Sequence, residues 1–526
     1  MKSNSIILKI LRRLFKHILV IDFEFKQPLG NKPILVCMVV KNIVTQKTKK
    51  FWLVGKKKIK FPYPIDQSLF VGHYLVAEVN CMLQLQLKKP KNLFDTWVEN
   101  KKLYNGKIKT GFGLVDCLGR YGIEYPLDKD RWRDVILGKK EDRDKVFLPK
   151  YSKSDREGIL NYCSADVTTN EQLFYKQLTH IEKFKKVKDK TSAMKAITQA
   201  LFSGRALAVC AQIETNGIPI DEDLFFDIGK HFESLKTATI NEANKKYDLY
   251  EDGVLKKKKF AKFLKRLNLH SRWPKTPTGK YKEDQKTFDR FRNFVPEIDD
   301  LKGLKFIIDA RKLKGYAVGV DNRSRAALSM YGQTTGRTNV STAISPYGAP
   351  RFIRTIMHPD KNKILVSADY KSQEPHIQAY MSDDKTMKAA LATGDIYLAT
   401  AKLVKAVPED ATEESHPRER QIYKTSFLAI NYGQEARGLA LKLGTPFYDA
   451  ATIHKSIVEA YPTYHSWSEK WILKGMQRGY FKTMYGWNRH LTFRETTNPR
   501  SLKNWPIQSH GSEMIRHAMI AADDAG

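Results

Sequence analysis

Two short apolar runs, residues 18–25 and 364–366, predict buried strands, and both carry or precede carboxylates. Asp22 and Glu24 interrupt the first run, and Asp369 follows the second. Residues two apart on a strand share a face, so Asp22 and Glu24 would repel each other without a cation between them. The alternatives are a surface pair on an edge strand and, for Asp369, a cap on the following helix. The functional interpretation is cation binding, with Mg²⁺ on Asp369.

A helical face is predicted further along the chain, where Arg420, Lys424, Leu428 and Tyr432 are spaced four apart. At 3.6 residues per turn, the four side chains form one slanting face about 18 Å long. The face is cationic at its start and aromatic at its end, which suits a ligand with phosphates at one end and a flat base at the other. The alternative is an amphipathic core helix with solvated basic ends.

Other segments also have helical spacing or helical stop signals. The apolar stretch 206–221 predicts a helix ended by Asn216-Gly217. The polar, Lys-rich residues 185–195 before it predict a linker, and residues 222–330 are basic and helical around a loop at 273–280. Spacings of four, which place side chains on one helical face, occur at Tyr162 and Asp166, and at Arg500, Asn504 and Gln508.

The net charge of the chain indicates which class of partner it binds. The 526 residues include 91 Lys and Arg against 57 Asp and Glu, a formal net charge of +34. This excess predicts a polyanionic partner, most simply nucleic acid, because clusters of Lys are interleaved with aromatic residues. Solubility alone is the alternative.

The cysteine spacing and the lengths of the apolar runs indicate a cytoplasmic protein whose cysteines are reduced. If the source is viral, the compartment would be the cytoplasm of the host. The five cysteines lack zinc-site spacing, and no apolar run reaches the roughly 18 residues that a membrane span needs. Residues 1–17 are basic and amphipathic, which favours a lead-in to the first strand over an organellar transit peptide.

Five motifs, in order, resemble those of family A DNA polymerases, the group of bacterial DNA polymerase I and T7-like phage enzymes. The form D-Y-x-S-Q-E-P at 369–375 is similar to the phage variant of motif A. A single tripeptide is weak support, whereas five motifs in the expected order are specific. They are Thr335-Gly336-Arg337, motif A at 363–376, Gly394-Asp395-Ile396-Tyr397, motif B at 420–433, and Asn504-Trp505-Pro506-Ile507-Gln508.

The resemblance implies a role for each matching position. Asp369 would hold Mg²⁺, Lys424 would protonate the leaving pyrophosphate as general acid, and Glu374 would exclude the ribose 2′-hydroxyl. Tyr397 replaces a family His and cannot carry positive charge toward the triphosphate. The implied dNTP-binding residues are Arg420, Lys424, Leu428, Tyr432, Glu374 and Tyr397. The implied DNA-binding residues are Arg337, Arg354, Gly433, Arg500, Asn504 and Gln508.

The N-terminal part resembles DnaQ-like 3′–5′ exonucleases, in which a Tyr orients the attacking water and carboxylates hold two metals. In the second motif Tyr74 stands where the family has Asn, and Glu78 where it has Asp. Because such sites are sensitive to displacements of about 1 Å, the longer Glu78 predicts weakened or lost activity. The first and third motifs are matched by Asp22 and Glu24, and by Tyr162 and Asp166. The implied metal ligands are Asp22, Glu24, Asp166 and Glu78.

The resemblance implies an α/β multi-domain fold, with an RNase H-like exonuclease domain followed by a right-hand polymerase domain. The expected parts are the exonuclease domain at 1–185, a mostly helical thumb at 196–330, part of the palm with motif A at 331–385, the fingers with motif B at 386–470, and a return to the palm at 471–526.

The family's second palm carboxylate lies in motif C, a His-Asp-Glu hairpin that this sequence does not match. Asp523 and Asp524 are poor substitutes, because they lie on or just beyond the helix that precedes that hairpin. We therefore expect a fragment of a longer chain, or a split enzyme whose second polypeptide supplies motif C.

The leading hypothesis is a phage-type replicative DNA polymerase with proofreading, acting on primed template DNA and dNTPs. It would use two Mg²⁺ per active site, with Mn²⁺ as a substitute, a processivity factor as a further partner, and no membrane. The alternative is a DNA-binding 3′–5′ exonuclease, or an inactive partial polymerase subunit that needs a second chain. Glu374 and the exonuclease domain disfavour a single-subunit RNA polymerase.

Overall fold

The chain folds into two compact units, each assembled from segments that are distant in sequence. A computed structural model describes residues 5–108, 111–292, 295–308, 318–340, 353–493 and 502–526. The first unit comprises Met1–Ile220, Tyr316–Ile377 and Lys470–Gly526. The second comprises Asp221–Gly315 and Gln378–Glu469.

A mixed five-stranded sheet is the centre of the first unit. Its order is β3-β2-β1-β4-β5, with β1 antiparallel to β2 and parallel to β4. This arrangement agrees with the predicted RNase H-like domain. The strands are β1 (His17–Lys26), β2 (Ile34–Asn42), β3 (Lys47–Trp52), β4 (Ser68–Gly72) and β5 (Leu93–Asp95).

The central strand β1 is buried on both faces, which explains its continuous apolar run. Leu19 and Ile21 belong to one core cluster, whereas Ile18 and Val20 belong to another on the opposite face. The first cluster extends beyond the sheet domain to Trp487 and to other residues from the C-terminal part of the chain. The sheet domain and that part of the chain therefore share one hydrophobic core.

Seven helices accompany the sheet within the described residues up to 216. The helices are α1 (Ile6–Leu14), α2 (Val76–Gln84), α3 (Thr96–Tyr104), α4 (Leu114–Arg120), α5 (Lys129–Leu137), α6 (Lys153–Lys185) and α7 (Lys190–Asn216), with short 3₁₀ helices at Ile65–Gln67 and Lys140–Asp142.

The linker predicted at 185–195 is much shorter than expected, because helix α7 begins at Lys190. Asp189 and Ser192 form a capping box that starts this helix directly after the end of α6. Gly217 follows α7 with a φ of +62°, as the predicted helix stop requires. By length and composition, α7 is long and apolar enough to cross a membrane, but 78% of its most apolar window is buried inside the protein. That burial is typical of a core helix.

The segment predicted as the thumb is mainly helical and has its own apolar core around Phe260, Trp273 and Phe288. Residues 273–280 form the predicted loop between two of its helices. The elements between residues 218 and 340 are β6 (Ile218–Pro219), α8 (Glu222–Tyr247), β7 (Tyr250–Glu251), β8 (Val254–Leu255), α9 (Lys257–Arg266), α10 (Gln285–Phe291), α11 (Pro296–Ile308), β9 (Arg323–Ser324), β10 (Leu328–Ser329) and β11 (Asn339–Val340).

The remaining elements include the predicted motif B helix, which is α15. They are a 3₁₀ helix at Ile353–Ile356, α12 (Gln373–Ser382), α13 (Lys385–Ala392), α14 (Ile396–Leu403), α15 (Pro417–Asn431), α16 (Ala436–Leu443), α17 (Phe447–Ala460), α18 (Pro462–Arg478), β12 (Tyr480–Lys482), β13 (Asn488–His490) and α19 (Trp505–Ala525).

The buried strand predicted at 364–366 is wrong. This segment has no strand or helix structure, and no strand among the described residues pairs with it. Ile364, Leu365 and Val366 are 82%, 55% and 79% exposed. An apolar run is buried as a strand only when neighbouring strands or helices cover it, and none of the described elements does so here.

Candidate active sites

The first candidate site lies on β1, where Asp22 and Glu24 approach each other as the strand period predicts. Ligand atoms of Asp22, Glu24 and Cys163 all lie within 4.8 Å of one another. The Cys163 thiol donates a hydrogen bond to Asp22 Oδ2 at 3.2 Å. Cys163 follows Tyr162 on α6, so this helix brings a thiol as well as the predicted phenol to the carboxylates.

Two further carboxylates from different helices border this pair. Asp166 on α6 is 6% exposed and Glu78 in the first turn of α2 is 5% exposed. Among the described residues, Asp166 Oδ1 and Glu78 Oε2 are buried without a hydrogen-bond donor. The predicted ligand set is therefore brought together, and each of these two side chains keeps one oxygen available.

Crowding of these carboxylates raises their pKa values. Burial, followed by the charge of Asp166, raises the pKa of Asp22 to about 8. Burial and the neighbouring Asp22 also raise the pKa of Glu24 and of Glu78 well above their ordinary values. At neutral pH the site therefore stabilises bound protons or cations.

Sequence reasoning missed Lys129, the first residue of α5. Its Nζ lies 3.0 Å from Asp166 Oδ2 and 5.6 Å from the centre of the Tyr162 ring. A cation at this point offsets part of the negative charge and contacts the predicted water-orienting Tyr. Because the chain is rich in lysine, one lysine at a helix start carries no recognisable sequence signal.

The second nuclease motif departs from its family in a way that the structure accommodates. Tyr74 has a φ of +69°, its hydroxyl donates to Leu328 O at 3.1 Å, and its ring lies 4.9 Å from that of Trp97. Asp95 caps α3 by accepting from Val98 N, and it also accepts from Leu75 N, so its role is structural.

These side chains fit a divalent cation. Hard carboxylate oxygens are the ligands that Mg²⁺ and Mn²⁺ accept, and two buried carboxylate oxygens here lack donors. The raised pKa values of Asp22, Glu24 and Glu78 share their causes, which are burial first and then the negative charge of neighbouring carboxylates.

The second candidate site is a cavity of about 300 Å³ in the first unit, called the palm cavity because residues of the predicted palm line it. Arg337, Asp369, Glu374 and Gln508, which come from three separate motifs, all line it. Asn504 Nδ2 donates to Glu374 Oε2 at 3.2 Å, which links α12 to the start of α19. The cavity combines carboxylates with a guanidinium and an amide, as a site for a cation and a polar ligand requires.

The other predicted palm residues do not line this cavity. Arg354 lies exposed in the 3₁₀ helix Ile353–Ile356, and Arg500 lies outside the described residues. Asp523 and Asp524 form ion pairs at the end of α19 with Lys89, Arg205 and Lys91, so both carboxylates have cationic partners there.

The second unit carries the predicted dNTP-binding residues other than Glu374, which lies in the first unit. Arg420 on α15 pairs with Asp395, the cap of α14, and with Glu413 at 2.9 Å. Lys424 Nζ lies 5.8 Å from the centre of the Tyr397 ring. Leu428 is half-buried on the same helix.

The motif B helix ends where the predicted stacking position lies. Tyr432 caps α15 and is 47% exposed, and Gly433 has a φ of +81° that favours glycine. The exposed phenol therefore lies at a rigid turn, which is a suitable place for stacking on a flat ligand.

A sheet domain with clustered carboxylates, next to a palm cavity lined by polymerase-motif residues, defines a polymerase fold. The family model described as DNA polymerase family A matches residues 229–526, which is more than half of the chain. The chain belongs to DNA polymerase family A.

Relatives and a solved structure agree with this assignment. The chain is 24% identical to DNA polymerase I of Aquifex aeolicus (strain VF5) over 489 residues, covering 87% of this chain and 77% of the relative. It is 24% identical to the thermostable DNA polymerase I of Thermus filiformis, covering 59% of this chain and only 39% of the relative.

The fold is similar to that of the POL domain of Pol1 from M. smegmatis, determined in complex with DNA primer-template and dNTP. The TM-score is 0.68 at 16% sequence identity, covering 96% of this chain and 85% of that chain. At this identity the likeness shows the fold, and it agrees with the predicted α/β multi-domain architecture.

Proposed function

We propose that the protein is a template-directed DNA polymerase that extends a primer 3′ end with dNTPs, with a 3′–5′ proofreading site in its sheet domain. The observation that carries the proposal is the convergence of Arg337, Asp369, Glu374 and Gln508 on one palm cavity. Membership of DNA polymerase family A, and the similar fold of a domain determined with primer-template and dNTP, support the same function.

In the palm, the chain's own residues would position the substrates. Asp369 would hold Mg²⁺, which supplies charge stabilisation at the attacking and leaving oxygens of phosphoryl transfer. Glu374 would exclude a ribose 2′-hydroxyl, which would favour deoxyribonucleotides. Arg337 and Gln508 would contact the minor groove at the primer terminus, whose acceptor pattern is nearly independent of sequence.

In the second unit, α15 would bind the nucleotide along its length. Arg420 and Lys424 would pair with the triphosphate, and Lys424 would donate a proton to the leaving pyrophosphate. Tyr432 and Gly433 would form a stacking surface at the templating position. Tyr397 would contribute ring contact but no positive charge.

In the sheet domain, Asp22, Glu24, Asp166 and Glu78 would hold divalent cations, Mg²⁺ or Mn²⁺, and Tyr162 would orient the attacking water. The buried oxygens without donors and the raised carboxyl pKa values support this assignment. A role in replication, a processivity factor and a phage origin stay predictions of the sequence; the relatives named above are bacterial.

The second candidate function is a DNA-binding 3′–5′ exonuclease, or a partial polymerase subunit completed by another polypeptide. The exposed segment 364–366 next to Asp369 favours this candidate, because a palm strand needs sheet neighbours and none of the described strands pairs with it. A second chain that supplied them would bring motif C to the palm cavity.

Primer extension distinguishes the two candidates. The chain, with and without the polypeptide encoded downstream, is incubated with primed template, Mg²⁺ and dNTPs, and one lane lacks dNTPs. We expect dNTP-dependent extension by the complete protein. Degradation alone, abolished by Asp22→Ala, would instead establish the nuclease, and neither activity would contradict both candidates.

Lys424→Ala tests the assigned chemistry. We expect a loss of about 10²–10⁴-fold in the rate of incorporation, the range for removing a general acid, with Lys455→Ala on the exposed face of α17 as the matched control. Unchanged incorporation by Lys424→Ala would show that another group protonates the pyrophosphate.

A further inference from the structure

One backbone carbonyl, that of Thr334, is the meeting point of three parts of the first unit. It accepts hydrogen bonds from Asn105 Nδ2 at 2.8 Å, Trp487 Nε1 at 2.9 Å and Trp505 Nε1 at 3.0 Å. A carbonyl oxygen has two lone pairs, so three convergent N–H donors are more than enough to saturate it as an acceptor. These donors come from the end of α3, the β12–β13 hairpin and the start of α19.

This carbonyl lies three residues before Arg337, in the loop 331–337 that lines the palm cavity. The loop is closed by the hydrogen bond from Gly336 N to Gln333 O at 2.8 Å. Arg516 donates to Gly336 O, and its guanidinium lies 3.9 Å from the centre of the Tyr331 ring. The loop is therefore fixed from both ends, although Arg337 itself is exposed.

Asn105 belongs to the sheet domain, and its side-chain amide nitrogen donates to two backbone carbonyls of other segments. Besides Thr334 O, Nδ2 donates to Asn488 O at 2.7 Å, and the backbone carbonyl of Asn105 accepts from His490 N at 2.8 Å. In return, Asn488 Nδ2 donates to Lys102 O at 3.2 Å. An amide nitrogen can donate to two carbonyls at once, which hydroxyl and carboxylate side chains cannot do.

The backbone next to Asn105 is packed closely against the β12–β13 hairpin. Gly106 has a φ of +89°, and a Cβ at this position would lie 2.1 Å from His490 O. Asn105 is 8% exposed and Asn488 is 3% exposed, so water has little access to these hydrogen bonds. Buried and mutually satisfied polar contacts of this kind specify one arrangement of the elements that they join.

We propose that Asn105 is a positioning residue for Arg337, through the Thr334 carbonyl. The sheet domain then supplies part of the scaffold that holds the primer-contacting loop, whatever the activity of its own carboxylates. The inference rests on the proposed function, because it takes Arg337 as a contact to primer-template DNA.

The test measures affinity for a matched primer-template duplex and for single-stranded DNA of the same length, by fluorescence anisotropy of the full chain. Asn105→Asp keeps the shape but removes both donors, and it should weaken duplex binding about tenfold, with single-strand binding unchanged. Asn105→Ser, which retains one donor, should give an intermediate loss. Asn100→Ala is the control, because this buried residue is on the same helix and its amide has no partner among the described residues.

A double-mutant cycle with Arg337→Ala separates positioning from general destabilisation. If Asn105 acts through Arg337, Asn105→Asp should cause no further loss of duplex affinity in the Arg337→Ala background. Fully additive losses, equal losses for duplex and single strand, or the same loss in Asn100→Ala would overturn the inference. If Arg337→Ala alone left duplex affinity unchanged, the DNA contact assigned under the proposed function would be wrong instead.

Discussion

At the scale of single residues, the carboxylates of the sheet domain are kept close together against their mutual repulsion. Asp22, Glu24 and Glu78 have raised pKa values because they are buried beside one another. Lys129 pairs with Asp166, and its charge lowers the pKa values of Asp22 and Glu24 only in part. Electrostatic cost of this kind is typical of sites that gain a cation in use. Its consequences can be measured without any assay of activity.

We expect divalent cations to stabilise the protein more at pH 8 than at pH 6. Because the pKa of Asp22 is about 8 in the folded protein, against an ordinary value of 3.8, the folded protein binds more protons than the unfolded chain between these values. Without metal, stability should therefore fall as pH rises through this range. Mg²⁺ or Mn²⁺ should offset the loss, and metal binding at pH 6 should release protons.

Thermal melting with chelator and with each cation checks this prediction, and Asp22→Asn serves as the control. An identical metal-induced shift in melting temperature at both pH values, or the same shift in Asp22→Asn, would contradict it.

Glu78→Gln should stabilise the protein in chelator by about 1–2 kcal/mol, because it removes a buried carboxylate whose Oε2 has no donor. It should also reduce the stabilisation by added metal. The matched control is Glu171→Gln, which removes a buried carboxylate that is paired with Lys41 at 2.5 Å and should destabilise by about 2–3 kcal/mol. Urea denaturation measures both, and a loss of stability in Glu78→Gln would show that its carboxylate has a partner.

At the scale of elements, the spacing of residues along the chain predicted helix α15 correctly. It failed for the strand at 364–366, because a strand requires neighbouring strands. The spacing of Arg420, Lys424 and Leu428 placed α15 correctly, because a helix satisfies its own backbone. The strand at 364–366 depends on neighbouring strands, which no local pattern reveals. The Thr334 junction was also beyond prediction, because backbone carbonyls are the same at every position and leave no signal in the sequence.

Close packing of α7 on β5 gives a prediction at this scale. Gly204 lies where a Cβ would be 2.1 Å from Leu93 O, so Gly204→Ala should destabilise the protein by about 1–3 kcal/mol. Gly229→Ala on α8 is the matched control, because nothing lies within 4 Å of its Cβ position, and it should stabilise by up to about 1 kcal/mol. Denaturation midpoints measure the change in stability of each variant, and equal changes at the two positions would refute the packing argument.

At the scale of the whole molecule, the proposed binding of DNA should depend strongly on salt, because the net charge is +34. For a surface that neutralises about six phosphates, affinity should fall on the order of a thousandfold between about 50 and 200 mM salt. The basic helix α9 offers a direct test, because Lys257 and Lys258 are exposed at its start.

Replacing Lys257 and Lys258 by Gln should reduce the slope of log affinity against log salt by about two. Lys259→Gln should change it less, because Lys259 is already paired with Asp248 and Glu251. Anisotropy titrations across a salt series measure the slopes. An unchanged slope in the double variant would remove α9 from the DNA-binding surface.

The exposed segment Ile364, Leu365 and Val366 also affects the physical behaviour of the purified chain. Exposed backbone with apolar side chains favours association, since a second molecule can pair with it edge to edge. Concentrated samples should therefore form multimers and precipitate through this segment while every helix is still intact. Colloidal stability, more than thermal stability, will set the concentration at which the isolated chain can be handled.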